Sequence, residues 1–118
     1  MFHMLSCFNL KSGVTINDFQ QALAILDAHL KDINMLYSTG NIGRRKRYRI
    51  MDTDDERSHE YFFVMTFSDL SQCDRSIEYV YSEEEPGYSI HRAVWTKVDN
   101  PVFICWEDIE LGVVHANL

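Results

Sequence analysis

The stretch Glu60-Tyr-Phe-Phe-Val-Met-Thr-Phe67 carries six apolar side chains in eight positions. Successive side chains of a strand point to opposite faces, so a segment this apolar buries both faces and belongs at the centre of a sheet. The opening segment Phe2–Leu10 reads the same way. Phe2, Met4, Phe8 and Leu10 fall on one side with Ser6, while His3, Leu5, Cys7 and Asn9 fall on the other. Neither side is a freely solvated surface, and Lys11-Ser-Gly13 closes the strand with a turn.

Outward from these two strands, the spacing predicts helices. Thr15 and Asp18 form an approximate capping box, and Ile16, Phe19, Leu23, Leu26, Leu30, Ile33 and Tyr37 then advance in steps of three and four. This predicts one long helix through Tyr37, its stripe packed on a sheet, with Gly40 and Gly43 turning the chain. Arg44-Arg-Lys-Arg-Tyr-Arg-Ile50 reads as an edge strand, joined by a polar hairpin over Asp52–Ser58 to the central Glu60–Phe67 strand. A second helix follows, with N-cap oxygens offered over Ser68–Ser71, Ser71 and Asp74 at capping-box spacing, and Leu70, Cys73, Ile77, Val80 and Tyr81 as its stripe. After the Glu83-Glu-Glu-Pro-Gly87 break, Tyr88, His91, Trp95 and Val98 share a helical side. Asn100-Pro101 then forces extended backbone, and Val102–Ile109 is the last strand.

The expected order is β-α-β-β-α-(α)-β, an α+β, ferredoxin-like arrangement in which a four-stranded antiparallel sheet carries both long helices on one face. At 118 residues and 13.9 kDa the chain suits one core. A single domain over residues 1–110 is expected, followed by a C-terminal tail over 111–118 that gives no clear signal. Two helices cannot cover both faces of the sheet. The economical way to exclude water from the second face is a second copy, bare face to bare face, so a homodimer is expected.

Composition narrows the function. A formal net charge of −7, with 11 basic against 18 acidic residues, opposes nucleic acid and anionic membrane surfaces as partners. The longest apolar runs are five residues, Tyr61–Met65, Ala22–Leu26 and Val102–Trp106. No basic-then-apolar leader opens the chain, so neither a membrane span nor a signal peptide is expected. Cys7, Cys73 and Cys105 are odd in number and lack CxxC spacing, which disfavours a disulfide framework or a zinc site and fits a reducing cytoplasm.

Several local sequences resemble the dimeric α+β barrel superfamily, in particular its stress-responsive barrel domains and polyketide-cyclase relatives. They are His3-Met-Leu-Ser-Cys-Phe-Asn-Leu-Lys11, Val64-Met-Thr-Phe-Ser68, and Arg92-Ala-Val-Trp95-Thr-Lys97 leading into Val102-Phe-Ile-Cys-Trp106. The resemblance implies a dimeric barrel with an interior cavity. Its members include cofactor-independent monooxygenases, cyclases, haem-handling enzymes and domains without a known reaction. The cyclase pattern places histidines on the first and third strands and a third before Arg-x-x-Trp. His3 and His59 occupy the first two places, but Glu84 stands in the third. The haem-degrading pattern needs Asn, Trp and His, supplied by Asn9, Trp95 and His91 in a different order.

The candidate catalytic residues are His3 and His59, whose imidazoles can move protons near neutral pH. A bound molecule is expected to meet His3, His59, Tyr61, Phe63, His91 and Trp95, the last two being stacked four residues apart on one helix. The expected function is binding of an apolar or aromatic small molecule in the barrel interior, without a cofactor or metal. Two alternatives stand beside it: a cofactor-independent oxygenase or cyclase using His3 or His59 as base, and a purely structural homodimer filled by its own Phe and Met side chains. Five of the eleven cations fall within Arg44–Arg49. They either guard an edge and pair with nearby carboxylates, hold an anionic ligand, or grip an acidic segment such as Glu83–Glu85 of a second subunit. The acidic run Asp52, Asp54, Asp55 and Glu56 lacks the glycine and late glutamate of a calcium loop and reads as a solvated hairpin.

Overall fold

The computed structural model describes residues 1–110. Its elements are β1 (Phe2–Leu10), α1 (Ile16–Asp32), β2 (Ser38–Thr39), β3 (Gly43–Arg44), β4 (Tyr61–Phe67), α2 (Leu70–Tyr81), α3 (Gly87–Trp95) and β5 (Val98–Glu107). They form an antiparallel sheet in the order β2-β4-β1-β5, with β3 also paired to β4. The two strands read as central, β1 and β4, are central, and the helices lie on one face. The expected tail over 111–118 falls outside the described residues. Among the described residues no helix is long and apolar enough to cross a membrane.

The buried side chains of β4 alternate strictly: Tyr61, Phe63, Met65 and Phe67 face the helices. Phe8 of β1, fully buried, meets them together with Phe19, Leu23, Leu26 and Leu30 of α1. The capping box at Thr15 forms, with the Thr15 hydroxyl accepting from Asp18 N–H at 3.1 Å and the Asp18 carboxylate from Thr15 N–H at 3.3 Å.

The structure corrects three element boundaries. α1 ends at Asp32, because Asn34 takes a left-handed φ of 58°. There Asn34 N–H donates to the Lys31 carbonyl and Met35 N–H to that of Leu30, closing the helix as a Schellman motif. Leu36 turns into the core and Tyr37 out of it, so the spacing of Tyr37 with the stripe is fortuitous. The Arg44–Ile50 strand reduces to β3, and the rest of the basic run is a loop, for reasons given below. The last strand starts at Val98, since an extra residue at Asn100-Pro101 is absorbed as a bulge on an edge strand, where proline is tolerated. α2 is capped by Asp69 in place of Ser71, its carboxylate accepting from Gln72 N–H at 2.8 Å.

The face without helices is a three-by-three grid of cross-strand neighbours. Thr66, His3 and Trp106 form one row, Val64, Leu5 and Ile104 the next, and Phe62, Cys7 and Val102 the third. Ile104 and Trp106 are 44 % and 43 % exposed, whereas Cys7 is buried.

Candidate functional site

A cavity of about 90 Å³ lies between the sheet and the three helices. Met4, Met65, Phe67 and Phe103 supply its sheet side, and its remaining walls are mostly apolar side chains of α1 and α2. Ser76, Tyr81 and His91 are the polar lining groups, and Trp95 completes the wall. The His91 ring is set edge-on to Tyr81 at 5.1 Å between centroids and tilted to Trp95 at 6.3 Å. Trp95 is held from behind by Phe63, stacked at 6.1 Å, and edge-on by Phe103 at 5.1 Å. Burial pushes the His91 pKa below its ordinary 6.5, because the charged imidazolium loses hydration there. His91 is therefore a neutral imidazole at pH 7, able both to donate and to accept a hydrogen bond.

The placement of α3, which carries His91 and Trp95, depends on Tyr79. Gly87 N–H donates to the Tyr79 hydroxyl at 3.1 Å, and that hydroxyl pairs with His29 Nε2 of α1 at 2.8 Å. A Cβ on Gly87 would stand 2.3 Å from the Tyr79 ring, so only glycine lets α3 start this close. One phenol thus fixes α1, α2 and α3 around the cavity.

Of the six residues expected around a ligand, the structure brings His91 and Trp95 together at the cavity and sets Phe63 directly behind them. Tyr61 is one pleat further along β4, stacked on Phe8 at 5.7 Å. His3 and His59 lie at opposite ends of the sheet, and neither lines the cavity. His3 sits on the helix-free face, with Nδ1 at 2.9 Å from the Thr66 hydroxyl, Nε2 at 2.8 Å from the Asp108 carboxylate, and its ring stacked on Trp106. His3 and the N-terminal amine together hold the Asp108 carboxyl below the usual range. His59 is buried and gives its Nε2 to the Asn100 carbonyl at 2.6 Å, leaving a buried Nδ1 without a partner among the described residues. The site residues not singled out from sequence are Ser76, Tyr79, Tyr81 and Gly87. Ser76 did leave a signal, a hydroxyl three residues after Cys73 and four before Val80 on an apolar stripe.

The basic run is organised by Arg45. Its guanidinium grips Asp52 through two bonds of 2.8 and 2.7 Å and donates to the backbone carbonyls of Asp54 and Arg57. Arg47 bonds the same two carbonyls, and Arg57 pairs with Asp54 at 3.0 Å. The expected pairing with nearby carboxylates is present, and it replaces the expected strand: Arg45 and Arg47 fold the basic run back onto the carbonyls of Asp54 and Arg57, while the Lys46 and Tyr48 carbonyls close local turns with Tyr48 and Asp52 N–H. The Arg45 guanidinium holds the Asp52 carboxyl down at about 2. Because that value lies below the ordinary 3.8, the ion pair steadies the loop at all pH above about 4 and is lost as pH falls from about 4 through 2. An NMR titration of the Asp52 carboxyl carbon should give a midpoint near 2, moving back toward 3.8 in Arg45→Ala; an unmoved midpoint would remove the clamp.

No family model and no curated protein matches the sequence. The fold, however, has clear likenesses among solved structures. A dimeric ferredoxin-like protein of unknown function from Jannaschia is 18 % identical, with a TM-score of 0.62 over 91 % of this chain and 98 % of that one. A DABB-family protein with a ferredoxin-like fold from Mesorhizobium loti is 14 % identical, with a TM-score of 0.57 over 92 % and 97 %. The hydroxynitrile lyase of Passiflora edulis is 14 % identical, with a TM-score of 0.64 over 95 % and 96 %. The chain shares the ferredoxin-like fold of the Jannaschia and Mesorhizobium loti proteins.

Proposed function

We propose that the protein is a homodimer, its helix-free faces packed together, that binds a small apolar or aromatic molecule in each protomer's cavity. What supports the ligand is the mostly apolar, partly open space with a neutral imidazole and a phenol at its wall, the usual composition of a small-molecule site. An apolar cavity of about 150 Å³ takes up benzene, so about 90 Å³ selects a ligand no larger than a single ring. What supports the dimer is the exposed grid around Ile104 and Trp106 and the dimeric description of the Jannaschia protein. The three free thiols suit a reducing cytoplasm. An oxygenase or cyclase using His3 or His59 would need one of those imidazoles beside the ligand, and neither borders the cavity.

The test is native mass spectrometry of protein purified without added ligand, followed by titration of Trp106→Phe protein with phenol while Trp95 emission is read. A dimer mass and saturable quenching are expected. His91→Phe should weaken binding about tenfold, the worth of one hydrogen bond. Absence of both a co-purified mass and saturable quenching would overturn the ligand reading.

A further inference from the structure

The loop clamped by Arg45 ends in a tip that the protomer leaves uncovered. Tyr48, Ile50 and Met51 are 60 %, 86 % and 72 % exposed, three large apolar side chains within four positions of one turn. Ile50 is held at a φ of 57°, a left-handed conformation that a β-branched residue avoids unless its surroundings impose it. The surroundings are the Arg45–Asp52 pair and the bond from Asp52 N–H to the Tyr48 carbonyl at 2.8 Å. The turn is therefore fixed, and fixed in a shape that directs aliphatic side chains into water.

Two observations locate what covers the tip. The loop lies on the helix-free side of the sheet: Arg44 pairs with Tyr61 and stacks on its ring on the helix side, so Arg45, the next residue, points to the other side, where Cys7 is buried. The tip thus projects from the face read above as the dimer interface. The other end of that face presents what the tip lacks. Ile104 and Trp106 are exposed there, bordered by Asp108 and Glu110, whereas the tip is bordered by Lys46 and Arg49. A two-fold axis running across the strands would lay the loop end of one sheet over the acidic end of the other, twice.

We infer that the loop around Tyr48–Met51 is an intersubunit arm, which seats its apolar tip on the Ile104–Trp106 end of a second copy. Lys46 and Arg49 then meet the acidic border around that seat. The inference rests on the homodimer reading and assigns it a register.

Sedimentation equilibrium on three proteins tests it. The wild-type chain should be dimeric at micromolar concentration. Ile50→Glu/Met51→Glu should keep its circular dichroism and raise the dimer dissociation constant about a hundredfold, as loss of a central apolar anchor does. Lys46→Glu/Arg49→Glu should weaken the dimer about tenfold, and adding Glu110→Lys should restore much of it, since complementary charge is recovered. A wild-type monomer would overturn the homodimer reading and the arm with it. A dimer indifferent to the tip variants and to charge exchange would overturn the arm alone. Co-sedimentation with vesicles of phosphatidylserine, lost in Ile50→Glu/Met51→Glu while the dimer persists, would also overturn the arm and assign the tip to a membrane.

Discussion

Phe8→Ala is expected to destabilise the fold by about 3–5 kcal/mol, the cost of emptying a large aromatic site in a core that relaxes only in part. Phe8 has no exposed surface and packs against four rings: Phe19 at 4.5 Å, Tyr61 at 5.7 Å, Phe63 at 5.8 Å and Trp95 at 6.5 Å. It sits on β1 between β4 and β5, so no neighbouring strand can close over the void without breaking the sheet ladder. A domain of this size has about 5–15 kcal/mol in total, so the variant should unfold at a melting temperature roughly 10–25 °C lower. Thermal and urea unfolding followed by far-ultraviolet circular dichroism measure this. A loss under about 1 kcal/mol would show that the five-ring cluster is not the centre of the fold.

The same cluster shows why the fold was legible in the sequence. Strands that bury both faces leave continuous apolar runs, and Glu60–Phe67 and Phe2–Leu10 declared themselves as central for that reason. α1 and α2 declared themselves by period. Where the reading failed, a side chain had taken over a role that periodicity assigns to the backbone. Asn34 stopped a helix whose apolar rhythm ran on to Tyr37, and Arg45 and Arg47 turned onto the hairpin carbonyls of Asp54 and Arg57, folding back a run that periodicity extended as a strand. The site was half legible. His91 and Trp95 share a helical side and could be paired from spacing alone. That their neighbours would be Tyr81 and Ser76, and not His3 or His59, depends on which face of the sheet holds the cavity, and alternation cannot say which of two apolar faces the helices choose. Tyr79 and Gly87 depend on a close approach of two helices, which no local pattern encodes.

The proposed dimer meets through the helix-free face. Ile104→Asp should raise the dimer dissociation constant by about a thousandfold or more, because isologous packing buries the new carboxylate twice, each at about 2 kcal/mol or above when unpaired. The protomer itself should tolerate the change, since Ile104 is 44 % exposed on an edge strand and its side chain leaves no core contact behind. Ile25→Asp is the matched control: it is 58 % exposed on α1, on the opposite side of the molecule. Sedimentation equilibrium should therefore find a folded monomer for Ile104→Asp and an unaltered dimer for Ile25→Asp. If both remain dimeric with equal affinity, the subunits do not meet through this face. If Ile25→Asp alone dissociates, they meet through the helices, and the row Val64, Leu5 and Ile104 must then be explained as solvent-facing, which its composition argues against.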